Sequence, residues 1–334
     1  MKYGVCVPPF AMPGASFFRV PNWTDLEPTK AVDAAVEAER LGYDSVWMAD
    51  HLIHGHDGGI LEGWTTLSVI AGRTSRIGLG HIHLAQPFRH PAILAKMVAT
   101  LDALTGGRFT LFYDCGWGEA EVRAYGLDWP AEVERIERME EGLDLIRALW
   151  EQTEPLDFAG GFFHTKGAVC RPKPSHRVPV WLGEARNDRW ADATARYADG
   201  WNSVPASPAR LAEKLEMIKA ACQRAGRDFD ELELSLETQV LVAPTEREAR
   251  DLAKKIAELP MGASARKPNE PGVAYANGGD PPADWLVGSV EQVREQIDVY
   301  QRLGISHLML WFLDFPSFDG MRLVDAKVRP NVSS

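Results

Sequence analysis

The chain has 334 residues, of which 45% are hydrophobic and 25% charged, and its formal net charge at pH 7 is -11. No Lys/Arg-rich block offers the basic surface that nucleic acid requires, and no apolar run has the length of a membrane helix, so we expect neither a nucleic-acid nor a membrane partner. The four cysteines form no CxxC pair, which favours a reducing, cytoplasmic location.

Short apolar segments alternate along the chain with amphipathic helical segments. In the helical segments, such as 28–42 and 135–152, apolar residues recur at steps of three and four. The predicted strands cover residues 3–7, 44–49, 76–84, 108–114, 178–183, 199–204, 232–243 and 307–313. Strands that are apolar almost throughout are typical of a parallel sheet buried on both faces.

Eight such units predict an α/β fold, a single (β/α)8 TIM barrel that spans residues 1–334. A doubly wound open sheet is the alternative, but no GxGxxG or GxxxxGK[ST] motif follows a predicted strand. Two insertions interrupt the alternation. Residues 155–177 predict a short hairpin with a proline-rich exit. The Pro/Gly-rich residues 260–284 predict a loop that is either a lid over the site or a disordered segment.

Functional residues of such a barrel lie at the C-terminal ends of the strands. The candidates at these positions are Asp50, His51, His81, His83, Gly116, Trp117, Glu119, Gly183, Glu184, Ala185, Arg186 and Trp201. Flat apolar side chains with a few converging polar groups predict a site for a planar heterocycle.

The fourth strand ends in a glycine-flanked tryptophan followed by a carboxylate. Gly116 and Gly118 would let the backbone approach a ring that Trp117 walls, and Glu119 would lie within reach as an acid or base. Glu119 could equally be a first-turn carboxylate favoured by the helix dipole.

The fifth strand ends in a candidate phosphate site. Gly183 would let the backbone come close, and Arg186 would supply charge near a helix N-terminus. Glu184 would repel a phosphate unless it points away or the phosphate contacts Arg186.

Histidines near the second and third strands leave a metal site open as an alternative. His81 and His83 are two apart, and so would share one face of a strand, either towards the lumen or towards the helices. With His54 and His56 they would support a metal-dependent hydrolase. Because the later strands end without a histidine, the ligand set does not close, and we expect no metal.

Six stretches in the same order carry a family resemblance: LGYDSVWMADHL, LDALTGGRF, GWGEAEVRAYG, RIERMEEGLDLIRALW, CRPKPSHRVPVWLG and ARYADGWN. Together they resemble the bacterial-luciferase-like flavin-dependent oxidoreductases over nearly the whole chain. The resemblance implies a barrel that binds reduced FMN or the deazaflavin coenzyme F420 at its mouth, often as a homodimer.

The resemblance also implies a reaction and roles. The broader class in the family is a monooxygenase that uses reduced FMN and O2 on a small organic substrate, with a separate flavin reductase as partner. The alternative is F420-dependent hydride transfer, which the ADHL and GWGEAE motifs favour. His51 resembles the histidine beside the ring, and Glu119 resembles the carboxylate that donates or accepts a proton. A barrel that only binds flavin is a third possibility.

Overall fold

The computed structural model describes residues 1–13, 19–259 and 271–329. The strands are β1 (Lys2–Val7), β2 (Ser45–Met48), β3 (Gly78–His81), β4 (Leu84–Ala85), β5 (Phe109–Asp114), β6 (Leu156–Ala159), β7 (His164–Ala168), β8 (Val180–Gly183), β9 (Gly200–Ser203), β10 (Glu233–Ala243), β11 (Leu286–Ser289) and β12 (His307–Phe312). The α-helices are α1 (Pro28–Arg40), α2 (Gly63–Arg73), α3 (Pro91–Thr105), α4 (Glu119–Ala124), α5 (Glu132–Glu151), α6 (Asp188–Tyr197), α7 (Pro208–Ala225), α8 (Glu246–Glu258), α9 (Pro271–Ala276), α10 (Val290–Arg302) and α11 (Asp319–Leu323).

Within the described residues, eight parallel strands close into a barrel. The order around it is β1, β2, β3, β5, β8, β9, β10 and β12, and β12 pairs back with β1. The long strand β10 pairs with β9 through its first half, with β11 through its second half, and with β12 along its middle. The predicted (β/α)8 barrel is therefore confirmed, and each of the predicted barrel strands is present.

The interior of the barrel is filled by large side chains. The rings of Trp47 and Trp181 lie 5.2 Å apart, and both contact the ring of His307. The Ser45 hydroxyl lies 2.8 Å from His307 Nε2 and accepts a hydrogen bond from Trp47 Nε1. Because this packing leaves no pore, as in other barrels of this kind, ligands are expected at the mouth.

The two insertions have different outcomes. The hairpin predicted within 155–177 is confirmed as the antiparallel pair β6 and β7. Of the loop predicted at 260–284, residues 260–270 lie outside the described residues, whereas 271–276 form helix α9 rather than an irregular loop. Tyr275 and Ala276 explain the helix, because they are buried in a cluster with Ile256 and Trp285.

No helix among the described residues has both the length and the apolar character needed to cross a bilayer. Cys6, Cys115, Cys170 and Cys222 are all buried and form no disulfide.

Candidate active site

The loops that follow β1, β2 and β5 enclose a cavity at the C-terminal end of the barrel. Its volume is about 470 Å³. The residues that line it are Arg19, His51, Ile53, His54, Trp117, Gly118, Ala120 and Glu121. An imidazole, an indole, a guanidinium and a carboxylate therefore meet in one space, although they come from three separate parts of the chain.

A histidine–carboxylate pair forms the polar centre of this cavity. His51 Nδ1 lies 2.7 Å from Glu121 Oε1, and both side chains are buried. The other carboxylate oxygen, Oε2, accepts backbone N–H groups from Leu52 at 2.8 Å and Ile53 at 3.2 Å. Burial raises the pKa of Glu121, but the His51 and amide hydrogen bonds outweigh it and hold this pKa below its ordinary value.

Trp117 determines which nitrogen of His51 carries the proton. Its indole Nε1 lies 3.2 Å from His51 Nε2. An indole N–H can only donate, so Nε2 of the neutral ring must be the acceptor. The proton of the neutral imidazole is therefore on Nδ1, where it is donated to Glu121. This tautomer puts the basic lone pair of His51 on Nε2, the nitrogen that faces Trp117.

Each of the two glycines that flank Trp117 is required by a different local feature of the structure. Gly116 has φ +84°, a conformation that other residues rarely adopt, and its N–H donates to Asp114 Oδ1 at 2.8 Å. At Gly118 a Cβ would overlap the carboxylate of Glu121. Glycine at position 118 thus lets Glu121 fold back over the start of α4 and reach His51.

The structure corrects the placement expected for Glu119. Its side chain is 58% exposed and pairs with Arg123 one helical turn later, with 2.8 Å between Arg123 Nε and Oε1. Successive residues of an α-helix are rotated by about 100°, so Glu119 and Glu121 point in very different directions. The contact with His51 belongs to Glu121, and Glu119 is the first-turn carboxylate of the alternative interpretation.

His83 lies at the mouth, whereas His81 does not. The ring of His83 packs on Phe112 at 4.3 Å and on Trp117 at 5.0 Å, and its Nδ1 is 3.2 Å from Asp114 Oδ2. His81 instead stacks on Trp64 of α2 at 5.3 Å. The expected shared face is wrong because β3 ends at His81, and side-chain alternation does not continue into the loop.

Burial among the outer helices also decides the charge of His81. It is fully buried, and this burial lowers its pKa to about 4. We therefore assign His81 to packing between the barrel and α2. Its side chain is turned away from the mouth.

Asp50 is a buried bracing residue of the mouth. Its carboxylate receives two hydrogen bonds from Arg89, at 2.8 and 2.9 Å, and the Ala85 N–H at 3.0 Å. Arg89 also pairs with Glu62 at the start of α2. These contacts tie the end of β2, which carries His51, to the loop after β4.

The end of β8 is the predicted phosphate site, and there Glu184 is turned towards α7. Glu184 is buried and pairs with Lys214 Nζ of α7 at 2.8 Å, and it accepts the Val204 N–H at 3.1 Å. Its charge is thus compensated within the protein. Arg186 is exposed, and its guanidinium lies 5.8 Å from the ring of Trp190.

The other predicted residues near β8 and β9 are closely packed. A Cβ at Gly183 would lie 3.0 Å from both Phe112 and the Asn202 carbonyl oxygen, and Ala185 is buried. Asn202 donates to Ser235 inside the barrel. Because Trp201 precedes it on the same strand, the indole faces the helices.

The two remaining histidines of the β2 loop contact His51 or the backbone. His54 stacks on His51, with 4.7 Å between ring centroids. Burial, followed by repulsion from His51 and Arg19, lowers the pKa of His54 to about 4. His56 Nδ1 is 3.3 Å from the Ala11 carbonyl oxygen. Across residues 1–13, 19–259 and 271–329, no group of three His, Cys, Asp or Glu side chains could hold a metal ion.

Four residues of the cavity are absent from the sequence prediction, namely Ile53, Ala120 and the two charged residues Glu121 and Arg19. Glu121 follows Glu119 by two residues, and only its helical phase distinguishes the two. Arg19 lies in an irregular segment without a motif. The structure pairs Arg19 Nη2 with the buried Glu237 at 2.9 Å and lays the guanidinium 4.6 Å from the ring of Trp311.

With this geometry established, comparison with known proteins identifies the family. The family described as luciferase-like monooxygenase matches residues 1–307. The chain belongs to this family. As a family member, the protein is an oxidoreductase of the flavin- or deazaflavin-dependent kind, as the sequence motifs predict.

Individual family members include users of F420. The F420-dependent glucose-6-phosphate dehydrogenase of Segniliparus rotundus is 30% identical over 314 residues, 89% of this chain and 91% of that protein. A solved F420-dependent secondary alcohol dehydrogenase aligns over 99% of this chain and 100% of its own, with 23% identity and a TM-score of 0.74. The monooxygenase RslO1 of Streptomyces bottropensis aligns over 98% of both chains, with 23% identity and a TM-score of 0.77. Both structures confirm the fold.

We predict that Asp50→Ala destabilises the protein by about 3 kcal/mol, because Arg89 would remain buried without its main carboxylate. Urea unfolding measures this loss. Glu62→Ala removes the more exposed partner of the same arginine together with a helix cap, and it should cost only about 1 kcal/mol. Equal losses in the two variants would contradict the bracing role of Asp50.

Proposed function

We propose that the protein is an F420-dependent oxidoreductase that transfers a hydride to or from a hydroxyl-bearing small molecule. The observation that carries the proposal is the His51–Glu121 pair, which places a basic imidazole nitrogen at a cavity in the mouth of the barrel. The F420-dependent dehydrogenases among the relatives support the deazaflavin over FMN. This is the alternative of the sequence analysis rather than its first choice.

The residues of the mouth fit a planar ring. The indole of Trp117 and the imidazoles of His51, His54 and His83 provide flat, weakly polar walls. The charged groups near these walls are already paired, Glu121 with His51 and Arg19 with Glu237. A heterocycle with a hydrophobic face can therefore approach without desolvating an isolated charge.

When bound, the deazaflavin would supply a ring carbon that exchanges a hydride, while the protein supplies orientation and proton transfer. In alcohol oxidation, His51 Nε2 would accept the hydroxyl proton as the C–H bond gives up its hydride and a C=O bond forms. The negative charge of Glu121 would stabilise the resulting imidazolium through the Nδ1–H. In the reverse direction, the same nitrogen would return the proton to the carbonyl oxygen.

A monooxygenase that uses reduced FMN and O2 is the second candidate. The family description and the likeness to RslO1 favour it. It would require a separate flavin reductase as partner. In this reaction, proton transfer by the Nδ1–H tautomer of His51 would have a smaller role.

The two candidates differ in which reduced cofactor the protein binds. We expect the purified protein to bind reduced F420 more tightly than reduced FMN under anaerobic conditions, as measured by fluorescence titration. When supplied with oxidised F420, it should reduce this coenzyme with an alcohol or sugar, including glucose 6-phosphate, in the absence of oxygen. Tighter binding of FMN, together with oxygen-dependent turnover, would instead establish the monooxygenase.

We predict that His51→Ala lowers F420-dependent turnover by about 10²–10⁴, the usual contribution of a general base. Glu121→Gln should lower it about ten- to hundredfold, because a hydrogen bond to a charged group is worth about 1.5–3 kcal/mol. Steady-state kinetics and circular dichroism test activity and folding together. Glu119→Gln is the matched control and should retain activity. A larger loss in Glu119→Gln than in Glu121→Gln would reverse the assignment.

We also infer that the protein forms a homodimer through helices α2 and α3. An apolar cleft of about 710 Å³ lies between these helices, on the outside of the barrel. Two residues that line the cleft are strongly exposed, Leu104 at 81% and Ile93 at 61%. Clustered exposed apolar side chains are typical of protein interfaces, and the same patch on a second copy would bury them around a two-fold axis.

We predict that Leu104→Glu shifts the protein from dimer to monomer, because the charge would be buried against the apolar patch of the second copy. Light scattering coupled to size exclusion measures the mass. Val133→Glu on α5 is the control, since Val133 is similarly apolar and 58% exposed but lies on another helix. A wild-type monomer, or an unchanged dimer in Leu104→Glu, would refute the interface.

A further inference from the structure

The indole N–H of Trp117 donates a hydrogen bond to the lone pair on His51 Nε2 that the proposed reaction needs. Its Nε1 lies 3.2 Å from His51 Nε2, and its ring is edge-on to both His51 and His83, with centroids 5.0 Å away in each case. The indole therefore stands between the two histidines. A general base must come within hydrogen-bonding reach of the proton that it removes. His51 Nε2 has a single lone pair, and it cannot accept fully from the indole and from a substrate hydroxyl at once.

The local chain is built to let this side chain change position. Trp117 is half-buried and lines the cavity. It is flanked by Gly116 and Gly118, so neither neighbour has a side chain that would hinder a change in the rotamer of Trp117. By contrast, His51 is held from behind by the buried carboxylate of Glu121 and cannot turn away without breaking that bond.

We propose that Trp117 is a positioning residue that caps His51 Nε2 in the substrate-free protein and gives up this hydrogen bond when a substrate hydroxyl binds. The cap keeps the imidazole in the Nδ1–H tautomer and saturates its lone pair until an alcohol replaces the indole. This inference rests on the proposed role of His51 as a base. The capping itself is a property of the protein without ligands and can be measured there.

The first experiment measures access to Nε2 with diethyl pyrocarbonate, which modifies the unprotonated imidazole nitrogen. Peptide mass spectrometry would follow the modification of His51 in the purified protein. Trp117→Phe keeps an aromatic ring and removes the N–H donor, so His51 should react several-fold faster than in the wild type. Exposed His164 is the internal reference. Trp64→Phe is the matched control, because Trp64 stacks on His81 rather than on His51.

A second measurement uses the wild-type protein and does not depend on a variant that folds. In a ¹⁵N-labelled sample, the indole Nε1–H signal of Trp117 should move upfield as acid protonates His51, because a protonated Nε2 can no longer accept. The Trp64 signal should not follow this titration. Equal His51 reactivity in wild type and Trp117→Phe, or a Trp117 signal that ignores His51 protonation, would overturn the cap.

Kinetics then test the displacement. If the indole must leave before the substrate binds, Trp117→Phe should lower KM for the alcohol more than it changes kcat, because the cost of opening is removed. An unchanged or higher KM would refute the displacement. If the protein lacks F420-dependent activity altogether, the proposed function fails, while the modification and titration experiments still decide whether Trp117 caps His51.

Discussion

Closure of the parallel sheet is the constraint on which the site depends. Because β12 pairs back with β1, all eight barrel strands end at one rim, and the loops after β1, β2 and β5 meet there. His51 and Glu121 are 70 residues apart in the chain, yet their side chains lie 2.7 Å apart at this rim. A packed interior beneath them, filled by Trp47, Trp181 and His307, confines any ligand to the mouth.

The buried charged side chains at the rim form ion pairs, and these pairs have two kinds of role. Asp50 with Arg89 and Glu184 with Lys214 fasten loops to neighbouring elements. The His51–Glu121 pair differs because both of its residues line the cavity. A buried ion pair loses much of its attraction to desolvation, so the first two pairs are better regarded as devices that fix geometry than as sources of net stability. They hold the backbone that positions the third.

Expectations for the site held where they followed from the position of strand ends. His51 and Trp117 do meet, since both follow barrel strands. Expectations failed where they depended on the direction of a side chain within a loop or the first turn of a helix. His81 and His83 separate because β3 stops between them. Glu184 does turn away from the predicted phosphate site, as that site requires, but its partner Lys214 on α7 is predicted by no local pattern in the sequence.

By itself the sequence determined the alternation of strands and helices and the barrel, because periodicity and turn residues act locally and repeat eight times. The family followed from six stretches that resemble it. The sequence also located the rim residues along the chain. Only the tertiary structure decided that Glu121 rather than Glu119 contacts His51, and that Trp117 donates to Nε2. Two carboxylates in one helical turn are chemically alike, and what separates them is a rotation of about 200° and the position of a loop from another part of the chain.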